Sequence, residues 1–122
     1  MGGRLTSWMP VAIWSLFVAV LLLAPGGLGG GGVSWLSRVA AAGGDKVVHA
    51  ALFFIHAALA SRLLARPDGR WLAAAFAIGY GLLLELLQQG IPGRGLEAAD
   101  VVANSAGALG WALLPWLSSR RR

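Results

Sequence analysis

The chain has 122 residues, of which 57% are hydrophobic and only 12% are charged, and its mean hydropathy is +0.71. A soluble domain usually has about a quarter charged residues, and a chain this short has too small a core to bury so much apolar surface. The composition predicts one integral membrane domain over residues 1–122, and the lack of cysteine excludes disulfides, thiolate metal sites and cysteine nucleophiles. The net charge of +5 does not indicate a nucleic-acid partner, because no soluble basic face carries it.

The first predicted span runs from about Trp8 to Ala24 and ends at the Pro-Gly-Gly sequence that follows. A cleaved signal peptide is the alternative, because one arginine precedes this apolar run. Residues 25–44 are rich in glycine, and we expect a loop there with one interfacial turn at residues 34–38.

Three further apolar segments predict helices that also cross the membrane, at about residues 45–64, 71–89 and 98–117. Asp45 follows a glycine, and we expect it to cap the second helix beside the positive end of the helix dipole. Proline, aspartate and glycine at residues 67–69 predict the turn that follows, and the glycine-rich residues 90–95 predict the next loop. The predicted fold is therefore all-α, a bundle of four transmembrane helices.

The basic residues predict how this bundle is oriented in the membrane. With four spans, the N-terminus, the turn at residues 65–70 and the C-terminus lie on one side, which has seven basic residues against three on the other. Because cytoplasmic loops are enriched in lysine and arginine, we expect both termini in the cytoplasm.

Most of the strongly polar residues then fall in the outer half of the bundle, where the second and fourth helices begin and the third ends. We call these residues the polar cluster: Asp45, Lys46, His49, Glu85, Gln88, Arg94, Glu97, Asp100 and Asn104. Helical spacing puts Asp45 and His49 on one face, and Asp100 and Asn104 on another. A central charge costs at least about 2–3 kcal/mol in a membrane, so the deeper members need partners.

Three blocks of these residues resemble the VanZ-like family, small multi-helix bacterial membrane proteins named after a teicoplanin-resistance determinant. The blocks are Asp45-Lys46-x-x-His49 with Phe53, Glu85-x-x-Gln88, and Pro92-Gly93-Arg94 with Asp100-x-x-x-Asn104 and Gly107. Their order and spacing agree over about residues 45–110, although Phe53 stands where the family often has tyrosine. The resemblance implies a bacterial cytoplasmic membrane protein with a role in the cell envelope, which in the namesake concerns glycopeptides. It implies no reaction.

The residue types leave two main interpretations of the polar cluster. In a functional site, His49 and Glu85 act as acid–base groups and Asp45 orients His49, as in a membrane enzyme. The same site would bind an anionic lipid or a lipid-linked envelope precursor through Lys46, Gln88, Arg94, Asp100 and Asn104. In a structural cluster, the same groups only join the helices, at around 0.6 kcal/mol for each hydrogen bond.

Two further interpretations are disfavoured. Zinc or a harder ion would find donors in Asp45, His49, Glu85 and Asp100. However, no dense ligand motif is present, and Lys46 and Arg94 would repel a cation. We therefore predict no metal and no other cofactor. A transporter or proton channel needs polar groups across the whole bilayer, whereas the predicted cytoplasmic halves of the helices are almost entirely apolar. We expect His56, deeper in the second helix, to be a packed bundle residue.

Overall fold

The computed structural model describes residues 2–24, 38, 40–92 and 95–119. These residues form four long helices and no strand: α1 (Gly2–Leu23), α2 (Asp45–Ser61), α3 (Gly69–Gln88) and α4 (Ala98–Ser119). The predicted all-α class and the four helices in order are confirmed. A π-helical turn, Ala40–Gly44, leads directly into α2.

Two of the four helices are long and apolar enough to cross a membrane. They are Thr6–Leu23 within α1, with a mean hydropathy of 1.9, and Gly69–Gln88, with a mean hydropathy of 1.5. Helix α2 has only 17 residues, and α4 has Asp100 and Asn104 in its first two turns. Core helices of soluble proteins and signal sequences share the properties of α1 and α3, so four spans remain a prediction.

The start of α2 differs from the sequence expectation. Gly44 occupies the N-cap position and makes no side-chain cap, while Asp45 is the first helical residue. Gly43 has a φ of 90°, a left-handed conformation that favours glycine, and this allows the π-helical turn to bend into α2. The predicted capping role of Asp45 is therefore wrong, although its charge still lies beside the positive end of the helix dipole.

Helices α2, α3 and α4 pack closely through small residues. A Cβ atom on Gly107 of α4 would overlap the carbonyl oxygen of Ala50 in α2. A Cβ atom on Gly81 of α3 would lie 2.8 Å from the ring of Phe53, which is fully buried. Small residues commonly permit such close approach between helices in membranes. The packing brings the first turns of α2 and α4 to the same end of the bundle as the last turn of α3.

Helix α1 lies against α2 and α3 and is held partly by hydrogen bonds to its backbone carbonyls. The hydroxyl of Tyr80 donates to the carbonyl oxygen of Ser15 at 2.5 Å. The amide nitrogen of Gln88 donates to the carbonyl oxygen of Leu22 at 2.6 Å, in the last turn of α1 where carbonyls lack helical partners. These contacts show that α1 runs in the same direction as α3.

The outward faces of the helices are strongly apolar. Leu16 of α1, Leu86 of α3 and Val102 of α4 are 67%, 51% and 67% exposed. Among the described residues, the buried polar ones are His49, His56, Glu85, Gln88, Asp100 and Asn104. Large apolar side chains outside and ionisable side chains inside are the reverse of the usual distribution in a soluble domain.

Candidate functional site

The described residues of the polar cluster lie at one end of the bundle, and all of them except Gln88 meet there. Helix α2 contributes Asp45, Lys46 and His49, and α3 contributes Glu85. Asp100 and Asn104 come from the first two turns of α4. Arg94, which was predicted to bind an anionic group, lies outside the described residues. The convergence expected from helix order and spacing is therefore seen for three helices.

Three buried side chains form the centre of this arrangement, and we call His49, Glu85 and Asp100 the inner triad. One nitrogen or oxygen atom from each side chain lies within 4.8 Å of the corresponding atoms of the other two. The residues are 3%, 1% and 7% exposed. The inner triad thus joins one imidazole and two carboxyl groups from three helices in a deeply buried position.

The hydrogen bond made by His49 fixes which ring nitrogen faces the carboxyl groups. Its Nδ1 atom lies 2.8 Å from the amide oxygen of Asn104. Because that oxygen only accepts, Nδ1 is the donor, and in a neutral imidazole Nε2 then has a free lone pair. Nε2 lies 3.7 Å from Oδ2 of Asp100. Two acceptor atoms therefore face each other, an arrangement that needs a proton or a cation between them.

Glu85 is the least satisfied member of the inner triad. Its Oε2 atom is buried and has no hydrogen-bond partner within the described part of the chain. A buried polar atom without a partner carries an unfavourable desolvation free energy, and the cost is larger for a charged group. Glu85 also lies near the carboxylate of Asp100, so the pair favours a proton or a cation in the space between them.

A second group of residues lies on the more exposed side of the inner triad and shares Asp100 with it. We call Asp45, Lys46, Glu97 and Asp100 the lysine network. The ammonium of Lys46 contacts Asp45 at 2.9 Å and Glu97 at 2.7 Å, and it also donates to Oδ1 of Asp100. The side chain of Lys46 is 30% exposed and that of Glu97 is 63% exposed. Three carboxylates therefore share one ammonium at the open end of the site.

The structure separates some residues that the sequence had grouped together. Gln88 faces α1 rather than the inner triad, and its amide nitrogen bonds Leu22. Asp45 pairs with Lys46, whereas His49 donates its hydrogen bond to the amide oxygen of Asn104. The sequence did contain a signal that His49 and Asn104 would meet, because each of them lies one helical turn after an aspartate near the start of its helix.

His56 occupies a separate position in the bundle. Its Nε2 atom lies 3.3 Å from the hydroxyl oxygen of Ser15, and its ring packs on those of Phe53, Phe76 and Tyr80. These contacts agree with the prediction of a packed bundle residue. His56 is therefore a matched reference for His49, since both are buried histidines on the same helix.

Comparisons of the chain with protein-family models, curated proteins and solved structures gave no match. The class that the structure itself defines is an all-α chain with four long helices in its described residues, two of them able to cross a membrane by length and composition.

Proposed function

We propose that the chain is a multi-pass protein of the bacterial cytoplasmic membrane, of the VanZ-like type, with both termini in the cytoplasm. In this proposal the polar cluster binds the anionic head group of a lipid or a lipid-linked envelope precursor. The family assignment is supported by the three sequence blocks that resemble VanZ-like proteins. An effect on glycopeptide susceptibility, as for teicoplanin in the family's namesake, belongs to the proposal through that resemblance alone.

The observation that carries the proposal is the reversed distribution of polar and apolar side chains. The inner triad is buried, while large apolar residues such as Ile13 and Leu83 are 63% and 51% exposed on the outer faces of α1 and α3. Lipid chains would cover those faces, and ionisable residues inside a membrane bundle commonly mark functional sites. The lysine network lies at the open end, where a head group would enter from the lipid–water boundary.

A purely structural cluster is the second candidate, favoured by the partners that Lys46 and His49 already have. Such a cluster would be expected to satisfy its own buried polar atoms. Oε2 of Glu85 and Nδ2 of Asn104 lack hydrogen-bond partners among the described residues, which favours a ligand. An enzyme that uses His49 and Glu85 for acid–base chemistry needs those side chains specifically, whereas a scaffold should tolerate His49→Gln.

The carboxylates that contact Lys46 offer a direct test of head-group binding. Because carboxylates surround its ammonium, an anionic head group must compete with them, and Glu97 is the most exposed competitor. We expect Glu97→Gln to strengthen binding about two- to fivefold, the effect of removing an exposed ion pair worth about 0.4–1 kcal/mol. Binding of dioctanoyl phosphatidylglycerol and of farnesyl phosphate to the purified protein in detergent would measure the effect. A preference between the two would distinguish phospholipids from isoprenoid phosphates.

The matched control is Arg66→Gln, which removes an exposed charge that pairs with Asp68 at the opposite end of the bundle. That substitution should leave both affinities unchanged. Equal binding of dioctanoyl phosphatidylcholine and phosphatidylglycerol, together with no response to Glu97→Gln, would contradict head-group binding at the lysine network.

A further inference from the structure

We propose that the inner triad binds one divalent transition-metal cation, such as Mn²⁺ or Zn²⁺, between helices α2, α3 and α4. The ligand atoms would be Nε2 of His49 and one carboxylate oxygen each from Glu85 and Asp100. The sequence alone disfavoured a metal because no dense ligand motif is present. The structure assembles the donors from three distant segments instead.

The distances suit such a cation after a small contraction. The three donor atoms lie within 4.8 Å of one another, and the pair formed by His49 and Asp100 is at 3.7 Å. Metal–ligand bonds of about 2.0–2.2 Å place neighbouring ligand atoms about 3–3.5 Å apart. Rotation of the side chains would supply a shift of this size without displacing the helices.

The orientation of His49 is the one that a metal ligand requires. Histidine ligands usually donate their second ring N–H to a carbonyl or carboxylate oxygen, which fixes the tautomer and the ring orientation. Nδ1 of His49 donates in this way to the amide oxygen of Asn104, and Nε2 faces Asp100 with its lone pair free. Asn104 is therefore a positioning residue in this site, and His49 is the ligand.

The side chain of Glu85 indicates independently that a ligand binds within the inner triad. Its side chain is 1% exposed, and Oε2 has no hydrogen-bond partner in the described part of the chain. A single proton joins only two of the three facing acceptors and leaves the third without a partner, whether it lies between His49 and Asp100 or between Glu85 and Asp100. A cation bound by all three residues satisfies each of the facing acceptors.

The charges around the inner triad also favour a cation. Among the described residues at this end, four carboxylates accompany one ammonium: Asp45, Glu85, Glu97 and Asp100 with Lys46. Lys46 was expected to repel a metal, and its ammonium does contact Asp100, but through Oδ1, whereas Oδ2 faces His49. Asp45 and Glu97 also match the charge of Lys46 within the lysine network. A divalent cation would offset the remaining negative charge, which is costly in a low-dielectric interior.

The donor set determines the class of metal. Calcium and magnesium prefer oxygen ligands alone, whereas an imidazole with two carboxylates suits zinc, manganese and similar first-row cations. The other acidic group at this end of the bundle, Asp45 with Glu97 and Asp100, already surrounds the ammonium of Lys46. The inner triad is therefore the better cation site of the two.

Titration of Mn²⁺ into the full chain, purified in detergent and stripped with a chelator, tests the proposal by electron paramagnetic resonance. We expect one bound Mn²⁺ per chain and nitrogen coupling from one imidazole. Glu85→Gln and His49→Gln should each weaken binding at least tenfold, with the nitrogen coupling lost in the second. The control His56→Gln removes the other buried histidine of α2 and should change neither quantity.

Failure of the folded wild-type chain to bind Mn²⁺ stoichiometrically would overturn the proposal, and so would unchanged affinity in Glu85→Gln. If Glu85→Gln does not fold, the nitrogen coupling of Mn²⁺ bound to His56→Gln decides the question, because His49 is then the only histidine left in the chain. Loss of the coupling in that variant would overturn the proposal. The two proposals concern different atoms: a head group would contact Lys46, and the cation would contact the inner triad. The negative charge that favours a cation opposes an anionic head group, so the two kinds of binding are measured separately. Mn²⁺ binding without phospholipid selectivity would retain the metal site alone, and selectivity in protein that binds no Mn²⁺ would retain the head-group site alone.

Discussion

Replacement of Lys46 by methionine should lower the free energy of unfolding by about 2–3 kcal/mol when measured in the presence of a chelator. Lys46 is the ammonium shared by three carboxylates, and its removal leaves them facing one another. Removing one member of a fully buried ion pair costs about 3–5 kcal/mol, and we expect less here because the Lys46 side chain is 30% exposed. Thermal and denaturant unfolding of the protein in detergent would measure the difference.

Arg62→Met is the matched control, because it removes an exposed cation just beyond the other end of the same helix. Its effect should stay within about 0.5 kcal/mol. Adding Asp100→Asn to Lys46→Met should recover part of the lost stability, since one of the repelling carboxylates is neutralised. If Lys46→Met were as stable as the wild type, the lysine network would have no structural role.

Phe53→Ala should have the largest effect on stability, a loss of about 3–5 kcal/mol. Phe53 is fully buried, its ring packs against Gly81 of α3, and it lies one turn beyond His49 on α2. The truncation leaves a cavity where α2 meets α3, beside the amide of Asn104 that also approaches Gly81. We therefore expect metal affinity to fall together with stability, because the orientation of His49 depends on Asn104.

Phe17→Ala is the control for this truncation, because Phe17 of α1 is 49% exposed on the outer surface. The same loss of ring volume there should cost well under half as much. Equal losses from both substitutions, measured by chemical unfolding in detergent, would mean that the contact of α2 with α3 is not the core of the bundle.

Much of the fold follows from the sequence because long apolar runs are interrupted by proline and glycine. Helices α3 and α4 begin and end within two residues of the predicted spans. Helix α1 begins at Gly2 rather than Trp8, because the apolar pattern marks only the hydrophobic part of the helix, and helical hydrogen bonding extends into the polar residues before it. The π-helical turn before α2 had no comparable signal, since a pair of glycines also fits an ordinary loop.

The candidate site was predictable in location and only partly in its contacts. Helix order and spacing place His49, Glu85 and Asp100 at one end of the bundle, as the structure has them. The rotation of each helix about its axis decides the partners, and it depends on close packing such as that of Gly107 on Ala50. Because that packing sets α2 and α4 side by side, His49 forms its hydrogen bond with Asn104 of α4 rather than with Asp45 of its own helix.

We propose that this site faces the outside of a bundle that crosses the membrane, and cysteine labelling in intact cells or spheroplasts would show on which side it lies. The chain has no cysteine, so only an introduced one reacts. Glu97 lies beside the site and Asp68 lies at the opposite end of the bundle, with side chains 63% and 51% exposed. A membrane-impermeant maleimide should label Glu97→Cys in intact cells and Asp68→Cys only after permeabilisation. Equal labelling of both positions, or the reverse pattern, would contradict this orientation in the membrane.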